Sequence, residues 1–77
     1  MPRLIPISGK EMAKIAEKLG FIKIHHVGSH CVYQHPDGRR TTIPIHGNED
    51  LIIGLIHDIL KQMKLPRDEY DKLRQKI

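Results

Sequence analysis

The residues best suited to chemistry in this sequence are its six histidines, at positions 25, 26, 30, 35, 46 and 57. A zinc site needs three or four ligands at a recognisable spacing, commonly with cysteines, and Cys31 is the only cysteine. His25 and His26 are neighbours on a predicted strand, so they point to opposite faces and do not form a chelating pair. We therefore expect neither a metal site nor a cofactor.

One histidine, His30, directly follows a glycine turn at Gly28 and Ser29. Ser29 is not activated by His30 as a triad serine would be, because neighbours on a strand point apart. Near neutral pH an imidazole can take a proton from a ribose hydroxyl or give one to a leaving oxygen. Since the 2′-hydroxyl of RNA is itself the nucleophile, one positioned imidazole can support cleavage without a metal. His30 is thus the candidate catalytic residue, although the position also suits an ordinary surface histidine.

The net charge of +4 is concentrated in the middle of the chain. Residues 18–47 carry four basic side chains and one acidic one, whereas residues 48–77 carry six of each sign. A basic centre favours a polyanion, most simply nucleic acid, although a solvated surface of ordinary Lys and Arg explains it equally well. Lys23, Arg39 and Arg40 are the cations predicted to hold a phosphate, together with the turn residues Gly28 and Ser29.

The length of 77 residues predicts one small domain and excludes a large catalytic cleft or a bound dinucleotide. A lone cysteine allows no internal disulfide, which favours a reducing, cytoplasmic setting. The apolar stretch at the N-terminus is short and broken by Pro6, so we predict no signal sequence. No apolar run approaches the ~20 residues of a membrane-spanning helix.

Two segments have the apolar period of a helix. Ser8 and Glu11 show capping-box spacing before a helix of roughly three turns, which Gly20 ends. A second helical pattern runs over residues 52–63, and we expect close packing or a strained entry to require Gly54 near its start.

The period is two between these helices. Hairpin turns are predicted at residues 27–28 and 36–38, between strands at residues 21–26, 29–35 and 39–45. Pro44 lacks a backbone donor, so the third strand should lie at a sheet edge or end there. Pro66 opens a short last helix. The predicted fold is a two-layer α+β sandwich of order α-β-β-β-α with a short C-terminal helix, the layout of the double-stranded-RNA-binding fold.

The sequence resembles the HicA-type, or YcfA-like, toxins, which are small mRNA interferases of toxin–antitoxin pairs. Gly28-Ser29-His30 matches the hallmark triplet of that family. Each of the other similar strings is short, but their order and spacing together are specific; they occupy residues 8–11, 19–21, 35–40, 43–46, 54, 59–62 and 69–70.

The resemblance implies that residues 1–77 are a single HicA-like toxin domain that cleaves mRNA with His30 as the essential histidine. It also implies neutralisation by a HicB-type antitoxin. We expect single-stranded mRNA as the substrate, no membrane partner and no direct sequence-specific DNA binding, since no exposed basic helix face is indicated. The alternative is a non-catalytic RNA-binding module of the same fold.

Overall fold

The computed structural model describes residues 3–77, in which three helices accompany a three-stranded antiparallel sheet. The strands follow one another across the sheet in the order β1-β2-β3. This architecture confirms the predicted α+β class and is consistent with the double-stranded-RNA-binding fold. In chain order the elements are α1 (Gly9–Lys18), β1 (Ile22–Val27), β2 (His30–Gln34), β3 (Arg40–Pro44), α2 (Ile53–Met63) and α3 (Arg67–Arg74).

Helix α1 begins at the predicted capping box. The Ser8 hydroxyl accepts from the Glu11 backbone N–H at 3.2 Å, and the Glu11 carboxylate accepts from the Ser8 backbone N–H at 3.0 Å. Both orphan donors at the helix start are therefore satisfied. Directly after the cap, Gly9 lies so close to β3 that a Cβ added to it would sit 2.1 Å from the Pro44 carbonyl oxygen. The absence of a side chain at Gly9 lets α1 pack against the end of β3.

The core lies between the helices and one face of the sheet. Helices α1 and α2 pack on β3, and α3 packs on α1. The Tyr70 hydroxyl of α3 donates to the Ile5 carbonyl oxygen at 2.6 Å, and burial raises the pKa of Tyr70 to about 12. In line with the period of two in this segment, Thr41 and Ile43 are buried and Thr42 is exposed. The most deeply buried side chains include Met12, Ile15, Ile43, Ile56, Ile59, Met63 and Tyr70.

Strand β1 is exposed along its whole length. Ile22, Ile24 and Val27 keep 60%, 48% and 60% of their surface exposed, although they are apolar. The helices therefore cover β2 and β3 but not β1. Among the described residues, every helix is too short or too polar to cross a membrane.

Two local predictions differ from the structure. Val27 belongs to β1, and the turn consists of Gly28 and Ser29, because Val27 pairs with His30. The expectation that packing or strain requires Gly54 is wrong, since its φ is not positive and an added Cβ would meet no atom within 4 Å. The space beside this helix position is open, so nothing nearby selects glycine there.

Candidate functional site

The hairpin turn between β1 and β2 places His30 at the start of β2. Gly28 has a φ of +58°, and glycine in the first of two central positions is the pattern of a type II′ turn. The next residue, Ser29, is half-buried, and its carbonyl oxygen accepts from the Ile45 backbone N–H at 2.7 Å. His30 itself is exposed. The turn thus presents an imidazole to solvent beside backbone that carries no side chain at Gly28.

The face on which His30 lies is the open face of the sheet, away from the helices. Along β2, Cys31 and Tyr33 are buried, so His30, Val32 and Gln34 point the other way. Tyr33 donates to a Glu17 carboxylate oxygen at 3.2 Å, and burial, with the Glu17 charge, raises the pKa of Tyr33 to about 12. The core side of β2 is therefore occupied by structural contacts, and the open face is free to meet a ligand.

Arg40 lies on this open face but at its far end. It is exposed and pairs with Gln34, whereas His30 pairs with Pro44. At a rise of about 3.4 Å per residue, the four steps from His30 to Gln34 span about 14 Å. Arg40 can therefore contact an extended polyanion bound to this face, but at a different point along the polyanion from the group that His30 contacts.

Lys23 is not on the face that carries His30. The pairing of β1 with β2 shifts between Lys23 and His25, so that Lys23 pairs with Tyr33 and His25 pairs with Val32. Paired residues share a face, so the shift puts Lys23 on the helix side of the sheet and leaves His25 on the open face. Without this bulge at Ile24, Lys23 would have paired with Gln34 and joined the open face.

Arg39 is partly buried and bound within the protein. Its guanidinium donates to a carboxylate oxygen of Asp37 at 2.8 Å and to the Met63 carbonyl oxygen at 2.5 Å, and it lies 5.1 Å from the centre of the Phe21 ring. The Arg39 backbone N–H also donates to Asp37 at 3.0 Å and is the main cause that lowers the pKa of that carboxyl. Arg39 thus joins the β2–β3 turn to the end of α2 and does not accompany His30.

A second histidine, His46, adjoins the turn, and no local sequence pattern singled it out. His46 is exposed, and its Nε2 lies 3.5 Å from the Ser29 hydroxyl. The signal that could have found it is the alternation in and beyond β3, since residues 40, 42, 44 and 46 fall on one face of an extended strand. A cleft of about 250 Å³ lies beside this residue, lined by Pro44, His46, Glu49, Asp50, Leu51, Ile52 and Leu55.

The chemistry available at this site is that of imidazoles, a hydroxyl and one distant guanidinium. Within residues 3–77, no three His, Cys, Asp or Glu side chains are close enough together to hold a metal ion. His30 and Ser29 do not form a nucleophile and its base, since the Ser29 hydroxyl approaches His46 instead. The arrangement is suited to proton transfer to and from a bound phosphodiester.

The chain matches the model of a known protein family. A family model described as the HicA toxin of bacterial toxin–antitoxin systems matches residues 9–65, which include α1, the whole sheet and α2. No curated protein matches the chain. The matched region contains the turn, both histidines beside it and Arg40.

Proposed function

The chain belongs to the HicA toxin family, and on that premise we propose that it is an endoribonuclease that arrests translation by cutting single-stranded mRNA. In this proposal His30 is the general acid or base at the scissile phosphodiester. Ser29 and the backbone at Gly28 contact the phosphate, and Arg40 holds the RNA further along the strand. A HicB-type antitoxin is the proposed partner that neutralises the activity.

The observation that carries the proposal is the exposed imidazole of His30 beside the Gly28 turn. General acid–base catalysis requires a titratable group within hydrogen-bond reach of the proton it moves, and a buried histidine could not reach RNA. An added Cβ on Gly28 would meet no protein atom within 4 Å, so the space above the turn is open to a phosphate. The reaction needs no nucleophile from the protein, because RNA supplies its own 2′-hydroxyl.

The length of the open face also favours an RNA strand over a small substrate. The open face runs from His46 past His30 to Arg40, and its side chains lie at the protein surface. An extended backbone can follow such a face and gain one contact after another. The net charge of +4, with its excess in residues 18–47, attracts a polyanion to the middle part of the chain.

The test is incubation of the purified protein with end-labelled single-stranded RNA in the presence of a chelator. Wild-type protein should cut the RNA, and His30→Ala should cut it about 10²–10⁴-fold more slowly. The melting temperature of His30→Ala should equal that of the wild type. His26→Ala is the matched control. His26 is also exposed, but it pairs with buried Cys31 across the strands and so lies on the face of the sheet opposite to His30. Saturable binding that leaves the RNA intact would instead identify a non-catalytic RNA-binding module.

A further inference from the structure

The hydrogen-bond ladder of the sheet continues beyond β3 and carries His46 to the open face. The Ile45 backbone N–H donates to the Ser29 carbonyl oxygen at 2.7 Å, one step past the pair of His30 with Pro44. Ile45 is half-buried on the core side, which leaves the next residue, His46, on the side of His30. Residues in this diagonal relation across antiparallel strands lie about 7–8 Å apart.

We propose that His30 and His46 form an acid–base pair that acts on the two sides of one phosphodiester. The proposal rests on the endoribonuclease function proposed above, and it adds the second proton-transfer group that the reaction requires. Each imidazole needs to come within about 2.6–3.2 Å of one reacting oxygen. Two histidines whose Cα atoms lie about 7–8 Å apart leave room for a phosphodiester between their rings.

The chemical step balances with these two groups alone. The neutral imidazole takes the proton of the 2′-hydroxyl while the 2′-oxygen forms a bond to phosphorus. The bond from phosphorus to the 5′-oxygen breaks, and the protonated imidazole gives its proton to that leaving oxygen. The products are a 2′,3′-cyclic phosphate and a 5′-hydroxyl, and the two imidazoles have exchanged protonation states, which solvent restores.

The contact with Ser29 explains how an exposed ring is held in place for this step. The Nε2 of His46 lies 3.5 Å from the Ser29 hydroxyl, within the turn that also positions His30. Through its carbonyl group, Ser29 is fixed to the backbone of Ile45, the neighbour of His46. One residue therefore ties both histidines to the same turn. His57, by contrast, is exposed on α2 and lines a separate cleft with Arg3 and Arg67.

The first experiment compares His46→Ala, His30→Ala and the control His57→Ala on a labelled RNA that the wild-type protein cuts. His46→Ala should lower the cleavage rate about 10²–10⁴-fold, with the melting temperature unchanged, and His57→Ala should cut normally. Cleavage by His46→Ala at the wild-type rate would overturn the pair and leave the endoribonuclease function standing. If wild-type protein cuts no RNA, the proposed function itself fails.

The second experiment identifies which histidine is the acid. After the cleavage position is mapped, the 5′-oxygen at that position is replaced by sulfur, a leaving group that departs without protonation. The alanine variant that lacks the acid should recover a near wild-type rate on this RNA, because the sulfur leaves without a proton. The variant that lacks the base should stay slow. Equal defects of both variants on both RNAs would contradict a division into acid and base.

A third measurement separates this mechanism from nucleophilic attack by Ser29, whose hydroxyl faces His46. An oligonucleotide of the same sequence with a 2′-deoxyribose at the cleavage position should remain intact, since its nucleophile is missing. Cleavage of that oligonucleotide would overturn the proposed chemistry. His46→Gln should stay as slow as His46→Ala, because glutamine can keep a hydrogen bond to Ser29 but cannot transfer the proton; its recovery would show a merely structural role.

Discussion

Replacing Arg39 by methionine should destabilise the fold without removing a contact to RNA. The guanidinium donates to the Met63 carbonyl oxygen at the end of α2 and packs over the Phe21 ring. Its side chain is 24% exposed, so water replaces these contacts only in part. Methionine keeps most of the stem length and removes the charge and the donors.

The size of the effect follows from the contacts that are lost. A hydrogen bond from a charged group contributes about 1.5–3 kcal/mol, and a cation over an aromatic ring at a partly exposed site about 0.5–1 kcal/mol. The exposed ion pair with Asp37 adds little. Allowing for the partial exposure, Arg39→Met should lower the free energy of unfolding by roughly 2 kcal/mol. At about 4–8 °C per kcal/mol for a domain of this size, the melting temperature should fall by about 8–16 °C.

The assay uses the neighbouring residue as its matched control. Arg40 is exposed on the open face, so Arg40→Met should keep the wild-type melting temperature and bind single-stranded RNA more weakly. Arg39→Met, measured well below its melting temperature, should bind RNA with wild-type affinity. If Arg39→Met instead keeps the wild-type melting temperature and loses RNA affinity, Arg39 has the phosphate-binding role predicted from the sequence and not the structural one.

Three further perturbations test the packing of two glycines, the titration of Tyr33 and the RNA contact of Arg40. Gly9→Ala should lower the free energy of unfolding by about 1–3 kcal/mol, because the new Cβ collides with the Pro44 carbonyl. Gly54→Ala should raise it by about 0.4–1 kcal/mol, because the space beside Gly54 is open. Urea midpoints measure both variants, and equal effects would contradict the close packing of Gly9 against β3. Because burial raises the pKa of Tyr33 from 10.0 to about 12, its stabilising contribution is complete below pH 10 and is lost as the pH rises towards 12. Tyr33→Phe should therefore lose less stability than wild type over that interval, and parallel losses in urea titrations would count against the shift. RNA binding should weaken with salt, and Arg40→Gln should reduce the slope of log affinity against log salt by about 0.7, whereas an unchanged slope would remove Arg40 from the interface.

Much of the fold could be predicted because its signals are local. The capping box at Ser8, the change of period after Gly20 and the turn at Gly28 each depend on residues only a few positions apart. The architecture and the short last helix were both confirmed. The turn boundary was wrong by one residue, because Val27 completes a pair with His30 that the local turn pattern does not reveal.

It was harder to predict which residues belong to the site, because this depends on pairing between residues far apart in sequence. The shift at Ile24 moves Lys23 to the face opposite to His30. A one-residue shift of this kind cannot be recognised from the alternation of apolar and polar residues. Arg39 binds the carbonyl of Met63, which is 24 positions away in sequence. His46 lies just beyond the strand predicted over residues 39–45, and only the bond from Ile45 to Ser29 shows that the ladder continues.

Growth of cells that express the wild-type chain or His30→Ala at matched levels of folded protein decides whether His30 carries the toxicity. Wild-type expression should arrest growth and shorten cellular mRNA, and co-expression of the antitoxin should restore growth. His30→Ala should permit growth and leave mRNA intact. Equal arrest by the wild type and a folded His30→Ala variant would show that the toxicity does not depend on the His30 imidazole.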